Sequence, residues 1–302
     1  MPEVHPVILR AIQKHEPGAT AQKKASYVQS SSGNTYFAKI GSRSEVEQFI
    51  GEAEALKAMQ IAAPGLAPQL IESGIIDSET AERDTDVGRP YFVSEYKNIG
   101  SLTDAAAKQL AKRLATELHA YKSTQGFGFP VPTFCGRTKQ DNGWYASWQE
   151  CYDALIGGLL DKLRQKGGYD ELCHKGEEVR ARVIPALLSP LDIEPVLLHG
   201  DLWSGNTGTD SSTGEPIIFD PSSYYGHNEA DLAIARIFGG IPRSFFATYH
   251  EYFPKSDPVE QYDLRGELYE LYHYLNHTVL FGSGYASSSR AIMDRLLRAI
   301  PE

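Results

Sequence analysis

Cysteine is scarce in this chain. Cys135, Cys151 and Cys173 are widely spaced, odd in number and form no CxxC pair, which argues against a disulfide framework and against a zinc site. They read as reduced thiols in the core or at the surface. Long apolar runs are missing too: no window reaches the ~18 continuous apolar residues of a membrane span, and the opening MPEVHPVILRAIQKHEPG lacks the apolar region of a signal peptide. The expectation is a soluble cytoplasmic protein with no membrane partner. Basic clusters are absent as well. With no Lys/Arg run and a formal net charge of -10 at pH 7, a phosphate-backbone partner is excluded as a first reading, so nucleic acid is not expected. What the chain does have is 41% hydrophobic residues over 302 positions, enough for a sizeable core, and the expectation is two lobes.

The most informative stretch is HGDLWSGN, residues 199–206, which follows the apolar run PVLL and precedes a second run, PIIFD, ending at Asp220. An aspartate five positions before an asparagine, with a further aspartate at the end of the next strand, is the spacing used for phosphoryl transfer in kinases. Each residue type has a task there. Asp201 is the carboxylate beside the acceptor hydroxyl, and Asn206 and Asp220 are the oxygen ligands that hold magnesium against the phosphates. A loose transition state builds little charge on the acceptor, so an ordinary carboxylate suffices.

HGDLWSGN, together with FDP, YGHNE and GGIPRSFF, closely resembles the fructosamine and ketosamine 3-kinases, relatives of the aminoglycoside phosphotransferases within the protein-kinase-like superfamily. The likeness covers nearly the whole chain. It implies a two-lobed α+β fold, with a small antiparallel sheet and a helix in residues 1–96 and a mainly helical lobe in residues 97–302. ATP and Mg2+ would sit in the cleft. It also implies the reaction: phosphorylation of the 3-hydroxyl of a ketosamine, fructosamine or ribulosamine, either free or on a glycated protein lysine, as a deglycation repair. Oligomeric state is left open. An aminoglycoside or choline-type small-molecule kinase stands as the alternative enzyme, and an inactive kinase-like binding module as the alternative from another class. Only about seven residues separate Asp220 from the helix near Asn228, so no activation segment of the protein-kinase kind is present.

Taken in order, residues 4–15 carry Val4, Ile8, Ala11 and Ile12 at helical spacing, and Pro17-Gly18 ends that helix. Residues 26–29 and 36–40 read as a hairpin around Ser31-Ser32-Gly33-Asn34, in the position of a phosphate-covering hairpin. The neighbouring stretch 18–26 holds one glycine where such loops have several. Lys39 ends the strand TYFAK and is the expected phosphate-contacting lysine, with Glu52 on the next helix as its partner and Glu54 as the competitor. The strand around residues 89–96 runs out at Glu95, Tyr96 and Lys97, where backbone groups are placed to read a nucleotide base. Residues 126–143 read as an ordered surface loop. Trp203 is expected as a wall against the sugar and Glu229 as the carboxylate that recognises the protonated ketosamine nitrogen. The resemblance adds His277 as a substrate residue. Asp231 reads as a capping or substrate carboxylate, and His119 as a packed histidine.

Overall fold

The structure is a computed structural model and describes residues 4–300. Helix α1 (Pro6–His15) starts where a proline costs nothing, at the first turn, and the His5 ring accepts from the Val7 amide. It buries Val7, Ile8, Ala11 and Ile12 against an antiparallel sheet. That sheet is built from β1 (Ala21–Lys23), β2 (Val28–Ser30), β3 (Thr35–Ile40), then helix α2 (Val46–Ala62), β4 (Leu70–Ile75) and β5 (Pro90–Glu95), in the order β1-β2-β3-β5-β4.

One expectation needs correction here. The hairpin with its turn at residues 31–34 is β2–β3, and the stretch 18–26 contains β1 itself, so the loop capping this end of the sheet is residues 24–27. It has no glycine at all. Strand β1 left no pattern in the sequence because its residues are exposed or half-buried and only backbone pairing holds it.

After β6 (Ile99–Gly100), helix α3 (Asp104–Arg113) is capped by the Thr103 hydroxyl and continues as a wider turn to Leu118. Residues 126–143 are not a surface loop. They form the short strands β7 (Phe127–Phe129), β8 (Thr133–Cys135) and β9 (Thr138–Gln140), followed by β10 (Gly143–Tyr145), with Phe127, Phe129 and Cys135 in the core. Strands of three residues are too short for alternation to register. Then come α4 (Trp148–Lys166), which Gly167 ends at φ 74°, α5 (Asp170–Glu178) and α6 (Ile184–Leu188).

The chain next crosses the centre of the molecule. Strands β11 (Val196–Leu198), β12 (Thr207–Asp210), β13 (Pro216–Ile218) and β14 (Tyr224–Gly226) form two small sheets, β10-β7-β14-β11 and β13-β12-β6. Helices α7 (Asn228–Ile237), α8 (Arg243–Tyr252), α9 (Tyr262–Phe281) and α10 (Ser283–Ala299) complete the fold. Tyr262, Leu264, Leu268, Leu271, Tyr272, Leu275 and Val279 recur at helical spacing in the sequence, and this stripe is the core face of α9, with Leu268, Leu271, Tyr272 and Leu275 buried. Neither α8 nor α10 was anticipated.

Helix α2 touches the rest of the protein closely at one point. A Cβ on Gly51 would lie 2.4 Å from the Pro132 carbonyl oxygen, so only glycine lets α2 seat beside β8. Alanine there gains about 1 kcal/mol of helix propensity but creates a backbone clash of the kind that costs about 1–3 kcal/mol. The expected result for Gly51→Ala is net destabilisation in urea unfolding; a gain in stability would show that the two elements are not held at this distance.

Candidate active site

Lys39 lies on β3 and Glu52 on α2, and the two meet: Nζ is 2.8 Å from Oε1 and 2.6 Å from Oε2. The rings of Phe49 and Phe92 flank the ammonium at 5.1 and 5.0 Å, which limits the rotamers open to it. Burial pushes the Glu52 carboxyl up, and the lysine opposes that. Glu54 is not the partner, since it pairs with Lys57 on the outer face of the helix. Beside this pair opens a cleft of about 300 Å³, lined by Phe92, Glu52, Glu95, Tyr96, Lys97 and Asp220, among others. The Glu95 and Tyr96 amides donate to the carbonyls of Gln69 and Thr35, and Lys97 Nζ donates to Glu95 at 2.6 Å. Tyr27, from the loop 24–27, lies over Tyr96 with ring centroids 4.9 Å apart.

The segment 199–206 is held from below by Asp231 on α7. Its two oxygens accept from the His199 and Gly200 amides at 2.7 Å each. The third donor is His119, whose Nε2–H reaches Asp231 at 3.1 Å, which makes its Nδ1 the acceptor for the Tyr249 hydroxyl at 2.7 Å. Burial alone would raise the Asp231 carboxyl, but His119 and the charge and amide of His199 hold it below the usual range. Asp231 is therefore neither a cap nor a substrate carboxylate, and His119 is buried as expected.

At Gly200 (φ 82°) a Cβ would lie 2.1 Å from the Ser222 carbonyl oxygen, so the chain turns there only with glycine. The next residue is Asp201. Asn206 Nδ2 donates to its carbonyl at 2.9 Å and to its carboxylate at 3.0 Å, which commits the amide nitrogen and leaves the amide oxygen for another partner. Phe219 donates its amide to the Asn206 carbonyl at 3.1 Å, so Asp220 follows directly from a residue bonded to Asn206. Asp220 has φ 54°, a left-handed backbone that aspartate tolerates better than most residues and that is concentrated at functional sites. The Asp201 carboxyl is pushed up to about 6, first by burial and then by the charges of Asp231 and Asp220, against the Asn206 hydrogen bond.

On its other side Asp201 lines a second cavity of about 350 Å³, with Cys135, Trp203, Phe238, Asn276 and His277. Trp203 packs edge-on against Phe238, centroids 5.9 Å apart, and the His277 ring lies 4.8 Å from Phe238. His277 Nδ1 donates to the His273 carbonyl at 2.7 Å, and burial lowers its pKa. Asn276 stands beside His277 in YLNH, a segment that resembles one facing the active site in the family, whereas Phe238 and Cys135 were not singled out for this wall.

Glu229 must be corrected. It is buried, its oxygens are 2.8 and 3.0 Å from the Arg265 guanidinium, and it accepts from the Ser256 amide at 2.9 Å. Burial would raise its pKa, but Arg265 holds it low. A carboxylate with every strong acceptor position taken inside the protein has nothing to offer a substrate amine.

The donor set of Asn206 and Asp220, an amide oxygen and a carboxylate, fits a hard cation such as magnesium. Among the comparisons with known proteins, the fructosamine kinase family profile matches residues 7–299. The chloroplastic protein-ribulosamine 3-kinase of Oryza sativa subsp. japonica is 38% identical over 271 residues, 88% of this chain and 74% of that one. The ketosamine-3-kinase of Mus musculus is 38% identical over 284 residues, 86% and 87% of the two chains. A solved structure of a Haemophilus somnus 129PT protein shares the fold at TM-score 0.79, with 21% identity and 96% of each chain covered.

Replacing Glu229 by glutamine leaves Arg265 buried without its counter-charge, an expected loss of about 3–5 kcal/mol and a drop of several degrees in calorimetry. Because the folded carboxyl titrates below its unfolded value, this stabilisation is full above ~4.3 and fades as pH falls through the folded pKa, so wild type and variant should converge in acid. An unchanged melting temperature combined with a raised acceptor KM would return Glu229 to the substrate.

Proposed function

The chain belongs to the fructosamine kinase family, and on that premise we propose that it is an ATP-dependent ketosamine 3-kinase, acting on fructosamine or ribulosamine, free or on glycated protein lysines. The single observation that carries the reading is Asp201, fastened by Asn206 at 3.0 Å and bordering a cavity of about 350 Å³, while Asp220 borders the cleft of about 300 Å³ that also holds Glu52. Asp220 on the donor side and Asp201 on the acceptor side are near enough to interact, so the two sites adjoin as in-line transfer needs.

On the donor side, Lys39 is held extended by Glu52 to meet the α and β phosphates, and the stretch Glu95, Tyr96 and Lys97 reads the base through its carbonyls and the Lys97 amide, the Glu95 and Tyr96 amides being bonded within the protein. Asn206 Oδ1 and Asp220 hold magnesium, which when bound neutralises charge on the transferring phosphoryl group. Residues 1–96 form the nucleotide lobe in this reading, and 97–302 the acceptor lobe. On the acceptor side, Trp203 and His277 flank the sugar while Asp201 orients one hydroxyl and takes its proton as the bond to phosphorus forms. A raised carboxyl suits that task better than an ordinary one, since it is the stronger base while still ionised at neutral pH. No helix among the described residues is long and apolar enough to cross a membrane, and a cytoplasmic location belongs to the proposal.

The test is a kinetic comparison of fructosyl-lysine and ribulosyl-lysine with ATP and magnesium, the phosphorylated carbon located by NMR and an aminoglycoside and choline run alongside. Phosphate on the ketosamine 3-carbon is expected; transfer only to aminoglycoside or choline would replace the reading, and no transfer to any acceptor would favour an inactive binding module. Asp201→Asn should lower kcat by about 10²–10⁴ while nucleotide binding, followed by calorimetry, survives. In the wild type, kcat/KM should rise with pH through about 6 and fall tenfold per unit below it, because only the ionised carboxylate accepts a proton. A flat profile between pH 5 and 7 would remove Asp201 as the base.

A further inference from the structure

Behind the acceptor cavity three side chains of different chemistry converge. Cys135 ends β8, Asp201 follows β11 and His273 lies in the middle of α9; one ligand atom from each falls within 4.8 Å of the other two. Cys135 and His273 are buried, at 2% and 4% exposure. His273 Nδ1 has no hydrogen-bond partner, whereas the equally buried His119 and His227 have both ring nitrogens bonded. An unpaired buried imidazole nitrogen costs free energy unless something occupies it. Tyr272 Oη and Asn276 Oδ1, on the same stretch of α9, are also buried without partners.

We propose that Cys135, Asp201 and His273 form a binding site for a borderline-soft divalent cation of the zinc type, distinct from the magnesium position at Asn206 and Asp220. Sulfur, imidazole nitrogen and one carboxylate oxygen are the donors zinc selects, and they are poor ligands for magnesium. The unbonded ring nitrogen of His273 can present its lone pair to the metal in the matching tautomer. Bonds of ~2.0–2.3 Å bring tetrahedral ligands within ~3.3–3.8 Å of each other, a contraction of at most about 1.0–1.5 Å from the 4.8 Å outer limit here. On binding, the Cys135 thiol gives its proton to solvent and the thiolate bonds the metal. Entry is through the acceptor cavity, which both Cys135 and Asp201 line, and the fourth position takes a water within reach of the unpaired groups of α9. The widely spaced cysteines hid this site, because only one thiolate takes part. An occupied site ties up Asp201 and stops phosphoryl transfer; that consequence rests on Asp201 being the base, while the binding itself does not.

The test loads the whole protein with cobalt, then zinc, without nucleotide or magnesium. A thiolate-to-cobalt charge-transfer band is expected, and X-ray absorption of the zinc form should show one sulfur at ~2.3 Å. Cys135→Ser should lose both signals, Cys151→Ser and Cys173→Ser should keep them, and His273→Gln should weaken zinc binding by at least about tenfold. If Cys135→Ser does not fold, the absorption spectrum of the wild type and the His273→Gln affinity decide. A shell of oxygens alone in the wild type, or a charge-transfer band that persists in Cys135→Ser, overturns the site. A sulfur-containing shell with undiminished ketosamine phosphorylation overturns the inhibitory half and the base assignment of Asp201, whereas a failure to phosphorylate any ketosamine without zinc strikes the proposed function alone.

Discussion

Everything at the centre of this protein depends on one buried carboxylate accepting hydrogen bonds from two successive backbone amides. Asp231 reaches up from α7 to the amides of His199 and Gly200 at 2.7 Å, and His119 and Tyr249 hold it from the other side. A charge so deeply buried is stable only when it is fully bonded, and here the donors come from two separate parts of the chain, the segment after β11 and His119, which Tyr249 holds in turn. The chain leaving β11 is consequently fixed in direction before it reaches Asp201. Gly200 turns it, His199 ties it to the Phe219 carbonyl at 3.0 Å, and Asn206 closes it onto Asp201. Asp201 is positioned by this scaffold together with the Asn206 hydrogen bond to its carboxylate.

The same anchor sets the electrostatics. Burial first, and then the charges of Asp231 and Asp220, raise the Asp201 carboxyl. The result is a carboxyl poised near 6, while the nearby cations of the cleft are already balanced, Lys39 by Glu52 and Lys97 by Glu95. Such a site attracts cations. A hard one suits the oxygens of Asn206 and Asp220, and a softer one suits the sulfur and nitrogen on the far side of Asp201.

The linear order of residues was a good guide wherever a role depended on local spacing. Lys39 at the end of an alternating strand, Glu52 on the following helix and the Asp201, Asn206 and Asp220 set were all legible in that way, as was the aromatic and leucine stripe of α9. It was a poor guide wherever a role depended on which way a helix faces. Glu229 and Asp231 are two residues apart on α7, and nothing in their spacing says that one meets Arg265 and the other the catalytic loop. Residues 126–143 misled for a different reason: glycine- and proline-rich segments usually lie at the surface, but here three strands of three residues each turn side chains into the core, β8 beside α2 and β9 beside α9.

By itself the sequence determined the chemistry class, because carboxylate, amide and lysine at those intervals are needed before any phosphoryl group can be gripped, and short-range intervals survive in one dimension. It also determined helices such as α1 and α9, since a buried face repeats every three to four residues, though not α8 or α10. Only the tertiary structure decided which carboxylate faces substrate and which is spent on the fold. It alone brought Cys135, Asp201 and His273 together from positions far apart in the chain. The physical reason is that burial and hydrogen-bond partnership belong to packed elements, and those partners come from strands and helices whose adjacency no local pattern encodes.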